Sequence, residues 1–457
     1  MDKKEELFSK VPVSRALISL AVPTIISQVI TIIYNMADTF FIGKINDPAQ
    51  VAATAIAMPA YMIINALANL FGIGGSSAIS RALGRGDRDR AKKTASFCIW
   101  TGAGVGFFYG LLLLVTKRFL FPVLGATPDT WDYLNAYVFW TMGIGSLPSI
   151  LNPMLAHLIR SEGYSKQAGF GVAMGGILNM LLDPLFIFVF GLEIKGAAIA
   201  TFISNIIACL YFLILIFRIR NKSVITLDPR DYYAGSKIPS EVLLVGLPSG
   251  ILSLMATVSN TVINHIIATY ATEAIAGMGI AKKISGLAFA IFQGITHGSL
   301  PLIAFNYSAK NRKRMLSAIR LMIGYSIGTA LLICIMAYIF ADSLVLFFIK
   351  DALTVAWGTK FTRIICLACP FAAMSFSALT IFQAAGRKIE PLVLSCLRKG
   401  ALDIPLIVIF NIAFGIEMVA WATPIADCLA ALVAICILVS FLRKTRSMNE
   451  SKQSSET

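Results

Sequence analysis

Apolar residues in this chain fall into long blocks separated by short polar breaks. Each block is about 20 residues or more, the length an α-helix needs to cross roughly 30 Å of hydrocarbon. Twelve blocks are read, centred near residues 28, 67, 106, 145, 180, 207, 254, 291, 331, 369, 403 and 429. GRGDRDRAKK, RSEGYSKQ, the stretch 218–237, SAKNRKR and AAGRKIEP are the clearest breaks. LEIKG, between the fifth and sixth blocks, is the weakest, so eleven spans is the competing count. The pattern predicts an all-α polytopic membrane protein.

Composition agrees. Of the 457 residues 57% are hydrophobic and 14% charged, where a soluble domain carries about 25% charged residues. With an even number of spans, thirty of the thirty-nine lysines and arginines fall on the side of the termini and seven on the other. The remaining pair, Lys282 and Lys283, lies within the eighth span. Cytoplasmic loops hold the basic excess, so both termini are expected in the cytoplasm of a plasma-membrane protein. Basic loops facing anionic lipid account for the net charge of +15 and leave no call for a nucleic-acid partner. The start, MDKKEELFSKVPVS, does not read as a cleavable signal peptide. All eight cysteines lie in apolar spans and are read as packing residues, and His157, His265 and His297 fall on different spans, so no metal cluster is expected.

The longest hydrophilic interval divides the chain in two. The expected organisation is a terminal segment 1–13, a first lobe 14–220 with six spans, a loop 221–238, a second lobe 239–442 with six more, and a tail 443–457. Setting Pro23 over Pro248 brings Tyr34 and Asn35 over Ser259 and Asn260. ALGRGDRDR (82–90) then matches NYSAKNRKR (306–314), and AAIAT (197–201) matches VAWAT (419–423). The common order argues for duplication, and an even span number makes the repeats parallel. Two pseudo-symmetric six-helix bundles around a central cavity follow. Pro23 lies inside the first span, where it removes a backbone hydrogen bond and marks either a hinge or a fixed kink.

Two carboxylates interrupt the apolar blocks of the first half: Asp38 in span one and Asp183 in span five. A charge at the middle of a membrane helix costs roughly 2.5 to 3.5 kcal/mol, which implies a partner, a cavity or a function. Counting helical rise from the span ends puts Asp38, Asp183 and Thr201 at about 8, 12 and 9 Å below the surface opposite the termini. Asn179 precedes Asp183 by one helical turn and shares its face, as Asn35 does for Asp38. Carboxylate, amide and hydroxyl oxygens suit a hard cation such as Na+, and two buried carboxylates can also share a proton. Asp38, Asn179, Asp183 and Thr201 are therefore the candidate site for H+ or Na+, with Gln28, Tyr34 and Asn35 as candidate substrate or coupling contacts. The opposing reading is that these groups only tie helix to helix.

In the second half the positions aligned with Asp38 and Asp183 are apolar. Asp427 in span twelve is expected to pair with Lys282 or Lys283 in span eight. Lys399 and Asp403, four residues apart, read as a neutralising pair, and Arg160, Glu162 and Gly163 read as a structural turn.

At these residues the chain resembles the multidrug and toxic compound extrusion (MATE) family. The resemblance rests on AVPTIISQVITIIYNMADTFFIGKI (21–45), GIGGSSAISRALGRGDRDRA (72–91), RSEG (160–163), LNMLLDPLFIF with GAAIATFISN (178–205), and PLIAFNYSAKNRKR (301–314). It is most similar to the DinF-like branch. That implies a V-shaped pair of six-helix lobes and export of amphipathic organic cations in exchange for sodium or protons. It also implies a cation site at Asp38, Asn179, Asp183 and Thr201. The acidic residues that the NorM branch uses in spans seven and ten are missing here, which concentrates coupling in the first lobe.

No Walker A pattern is present, and no paired nucleophile and base, so neither ATP hydrolysis nor another enzymatic activity is expected. The expected partners are amphipathic cationic small molecules and membrane lipid, with no cofactor beyond the coupling ion and no obligatory protein partner. A lipid or lipid-linked oligosaccharide flippase of the same superfamily is the first alternative. It would need a cavity lined by several arginines, and Arg398 is the only one the span reading places within the membrane. A channel or non-transporting receptor is the second.

Overall fold

In this computed structural model the backbone is described for residues 3–235, 237–270 and 272–453, and side chains for 6–235, 237–270 and 273–444. Among the described residues there are helices and turns and no strands. A short α1 (Lys3–Ser9) precedes the first lobe, made of α2 (Val13–Lys44), α3 (Pro48–Gly84), α4 (Arg88–Val123), α5 (Pro128–Val138), α6 (Ser146–Ser161), α7 (Ser165–Pro184) and α8 (Glu193–Ile219). The second lobe holds α9 (Ile238–Ala268), α10 (Thr272–Ser308), α11 (Arg312–Ile339), α12 (Ala341–Phe348), α13 (Ala352–Cys366), α14 (Cys369–Ala384), α15 (Ile389–Cys396), α16 (Ile404–Phe414) and α17 (Ile416–Gln453).

Among the described residues, up to eleven of the twelve predicted blocks form spans long and apolar enough to cross a membrane. Nine are single helices long and apolar enough to cross a membrane. Two more are bent pairs, α5 with α6 at 43° and α13 with α14 at 42°. The remaining block joins α15 to α16 through a π-helical stretch, Leu397–Asp403, which carries Arg398, Lys399 and Asp403. The doubtful break therefore lies elsewhere than at LEIKG. There the chain turns sharply through left-handed residues at Gly191 (φ 62°) and Glu193 (φ 51°). Gln50 of α3 holds the turn by donating to Glu193 (2.6 Å) and accepting from the Ile194 N–H (3.0 Å).

Helix starts follow local chemistry. Asp87 and Asn311, counterparts in the two aligned basic turns, each accept a backbone N–H in the first turn of the next helix, at 2.9 and 3.2 Å. Such caps satisfy donors that have no intrahelical partner. Outward faces carry large apolar side chains such as Phe108, Val115, Phe119, Phe347 and Ile412. Exposed apolar surface on this scale suits lipid, where helices satisfy their own backbone. Of the cysteines, Cys98, Cys209, Cys334, Cys366 and Cys369 are buried as expected, while Cys396 and Cys436 are exposed and Cys428 is half-buried.

The core has a V-shaped layout. One apolar cluster crosses between the lobes at the end where α1 lies, drawing Leu17, Ile79 and Leu158 from the first lobe and Val242, Ile303 and Phe382 from the second. At the opposite end each lobe has a separate core, around Ile64, Leu134 and Ile150 in one and Ile267, Phe361 and Ile407 in the other. The joined end is closed by α3 lying against α9 and α2 against α10. Where α3 crosses α9, a methyl group on Gly74 would stand 2.0 Å from the Val242 carbonyl oxygen, and one on Gly246 1.9 Å from that of Leu70. Only glycine permits backbones to meet so closely. Beside this crossing, buried Arg81 donates to Ser77 and to the Gln383 carbonyl (3.2 Å), and the Ser77 hydroxyl donates to the same carbonyl.

Helical structure reaches past the expected lobe limits. α1 occupies most of segment 1–13, and α17 continues through 443–453 of the expected tail; residues 1–2 and 454–457 lie outside the described residues.

Candidate functional site

α2, α7 and α8 bring the predicted first-lobe residues together. Asp183 is fully buried on α7, and its Oδ1 accepts from the Asn179 amide at 3.2 Å. The same amide nitrogen reaches Thr201 Oγ1 on α8 at 3.3 Å. The one-turn spacing of Asn179 and Asp183 and the antiparallel return of α8 after the LEIKG turn produce this triad. Asp38 on α2 lies within electrostatic range of Asp183 and of Tyr34, Tyr61 and Tyr137.

Polar capacity is left over at this point. Asp38 Oδ1, Asp183 Oδ2 and Asn179 Oδ1 are buried without a hydrogen-bond partner. Neither carboxylate has a lysine, arginine or histidine in ion-pair contact among the described residues. Buried polar atoms are normally satisfied, and an uncompensated buried charge is costly. The arrangement is thus short of positive charge, which a proton or a cation held by oxygen atoms would supply.

Asn179 and Thr201 face a chamber of about 220 Å³ that both lobes line. Gln28 and Tyr34 line it as well, and Gln28 donates across the lobe interface to Gln293 of α10 at 3.4 Å. The carboxylates stand behind this wall. Asn35 is exposed and lines none of the described chambers. Pro23 sits within α2, which stays helical from Val13 to Lys44.

Several chamber residues escaped the sequence reading. Asn65 and Asn69 share one face of α3, and Asn152 donates to Asn205 at 3.0 Å, with Ser149 Oγ and Asn152 Oδ1 left unpaired. Their signal was helical spacing: polar side chains at i and i+4 inside apolar blocks, including Thr201 and Asn205. Arg160 lies in the last turn of α6, ahead of the turn that Glu162 and Gly163 form. It is buried in α6, lines the chamber and donates to Ser27 Oγ at 3.2 Å. Glu162 does hold a turn, accepting from the Ser223 hydroxyl and the Val224 N–H. His157 and His297, separate in sequence, meet across the lobes with ring centroids 5.3 Å apart. Among the described residues no group of three metal-ligating side chains occurs.

The second lobe corrects one pairing. Asp427 is bound in two-pronged fashion by Arg398, at 2.6 and 3.0 Å, and not by Lys282 or Lys283. A charged fork could not be foreseen from spacing alone, because the π-helical stretch turns Arg398 toward α17. Lys282 instead donates to Asn264 at 3.0 Å, and Lys283 is exposed. Lys399 and Asp403 form the expected pair at 2.7 Å. Asp403 also accepts from Ser259 (2.6 Å) and Thr423 (3.0 Å), the counterparts of Tyr34 and Thr201 in the repeat.

Comparison with known proteins places the chain. The MatE family model matches it twice, over residues 23–185 and 248–409. The chain belongs to the MatE family. The two matches start at Pro23 and Pro248, the prolines that align the repeat. Multidrug export protein MepA of Staphylococcus aureus strain N315 is 30% identical over 453 residues, covering 98% of this chain and 99% of that protein. MepA of Staphylococcus saprophyticus is 28% identical over 452 residues, with the same coverage. A solved MATE in complex with MaL6 superposes with a TM-score of 0.92 at 22% identity, over 98% of this chain and all of that one. The outward-facing conformation of a multidrug resistance MATE family transporter of the MOP superfamily gives 0.92 and 22%, over 98% of this chain and 99% of that one. This MatE chain is an all-helical, multi-pass membrane protein with the two-lobed fold.

Proposed function

We propose that this protein is a multidrug efflux antiporter that exports amphipathic organic cations in exchange for protons or sodium ions by alternating access. The observation that carries the reading is the pair Asp38 and Asp183: Asp183 is fully buried, Asp38 half-buried, each has a buried oxygen without a hydrogen-bond partner, and among the described residues neither has a cationic side chain in contact. MepA, whose name describes multidrug export, is similar along nearly its whole length, which supports the drug substrates.

Export of a monovalent cation against an inside-negative potential costs about 2.3 kcal/mol per 100 mV, so an inward ion gradient supplies the work. In the open cleft, H+ or Na+ binds at Asp38, Asp183, Asn179 and Thr201. Neutralisation removes the attraction for a cationic drug in the neighbouring chamber and lets α2 flex at Pro23, expelling it. The neutral form rocks to open at the basic end, the cytoplasmic side where both termini lie, releases its ion and takes up drug. The unpaired carboxylate oxygens, with no cationic side chain in contact among the described residues, support this reading over a purely structural role.

Asp38→Asn is expected to abolish ethidium efflux from proteoliposomes under both an imposed pH gradient and an imposed sodium gradient. Membrane insertion and the melting temperature should stay close to those of the parent. Undiminished gradient-driven efflux by that variant would remove the carboxylate from the mechanism. In the parent, whichever gradient alone sustains efflux identifies the coupling ion.

A further inference from the structure

Beyond the first-lobe site, the second lobe contains a chamber of about 270 Å³ between α9, α10, the α13–α14 bend and α17. Its walls combine apolar side chains, among them Ile263, Met278, Phe289 and Val419, with three cations: Lys282, Arg398 and Lys399. The volume approaches the lower end of small-molecule sites, about 300 Å³. A smaller space of about 120 Å³, sharing Phe289, Arg398 and Lys399 with it, leads toward Gln293 and His297 at the first chamber.

The charges here do not cancel. Arg398 is spent on Asp427 and is packed over the rings of Phe289 and Phe376. Lys399 is spent on Asp403, whose other contacts come from Ser259 and Thr423. Lys282 faces Lys399 and Asp403 electrostatically, and its hydrogen-bond partner, Asn264, is neutral. Three cations against two carboxylates leave one positive charge beside an apolar cavity.

We propose that the second-lobe chamber binds an amphiphile with one negative charge, a carboxylate or phosphodiester on an apolar body, with Lys282 as the recognising cation. The apolar wall takes the body, and the ammonium group supplies a charge-assisted hydrogen bond to the acidic group. Its preference is opposite in sign to that of the first-lobe site. A single surplus charge also falls short of the several arginines that a pyrophosphate-bearing lipid would require.

The test uses the full chain in phosphatidylcholine nanodiscs, titrated with 11-(dansylamino)undecanoic acid and, separately, with its methyl ester. Lys282→Gln is expected to weaken binding of the acid by about tenfold or more, the worth of a charge-assisted hydrogen bond. Lys282→Arg should retain it, and the ester should bind weakly and alike to all forms. Unchanged ester binding with an unchanged melting temperature shows that Lys282→Gln is folded. Equal binding of the acid by the parent and Lys282→Gln, or of acid and ester by the parent, overturns the proposal. Asp38→Asn keeps acid binding if the two sites are separate, so this result and that of the antiport assay fail independently. In discs containing phosphatidylglycerol, weaker acid binding by the parent alone identifies a lipid headgroup as the ligand; unaltered binding identifies a free amphipathic acid.

Discussion

Asp183 and Asp403 are both completely buried, yet their charges are met in opposite ways. Asp403 has a built-in cation, Lys399, and two hydroxyl donors, one of them Thr423, the repeat counterpart of Thr201. Among the described residues, Asp183 has only the Asn179 amide as a hydrogen-bond partner, and its other oxygen is unpaired. The second lobe thus displays, as a fixed lysine, the positive charge that the proposed cycle has the first lobe take from solution. Removing one partner of a buried pair costs roughly 3 to 5 kcal/mol because the other charge is stranded. Lys399→Met is therefore expected to lower the melting temperature of the detergent-solubilised protein. Lys399→Met combined with Asp403→Asn should recover much of that loss. The i, i+4 spacing made this pair readable in advance, whereas Arg398–Asp427 spans 29 positions and needed the fold.

Among the helices, α1 ties the two lobes together. Phe8 stacks on Phe305 of the second lobe at 5.3 Å between centroids and packs over Gly163 of the first. Arg314 donates to the carbonyls of Phe8 (2.6 Å), Leu7 (3.2 Å) and Val11, capping the end of α1 from the start of α11. Hydrogen bonds from charged donors contribute about 1.5 to 3 kcal/mol. Arg314→Ala should free this segment, seen as faster amide hydrogen exchange in residues 6–11 with little change in α2. Unaltered exchange there would show that Phe8 packing alone holds α1. Nothing in the polar opening residues announced this clamp, because its parts lie some 300 positions apart.

Across the two lobes, the structure is sealed at the basic end and divided at the other. Ser77 is completely buried in the seal, beside Arg81 and Gln383, and the Gly74–Gly246 crossing leaves no space for water. In the proposed alternating-access cycle, rocking breaks this seam once per turnover. Ser77→Cys is expected to resist a membrane-impermeant maleimide in resting proteoliposomes and to react faster when drug and ion gradient drive turnover. Peptide-resolved mass spectrometry separates its labelling from that of exposed Cys396 and Cys436. Equal labelling with and without turnover would argue against opening at this seam.

Block length, basic asymmetry and the repeat were legible along the chain because each reflects a local cost: burying backbone in lipid, moving charge across it, or reusing one folded unit. Asp38, Asn179, Asp183 and Thr201 were legible for the same reason, as polar groups expensive at their depth. The meeting of His157 with His297, the inward turn of Arg160, the Arg398–Asp427 fork and the surplus charge at Lys282 were not. Each depends on how rods rotate and cross, and rotation is set by close packing between distant segments rather than by the residues adjacent in the chain.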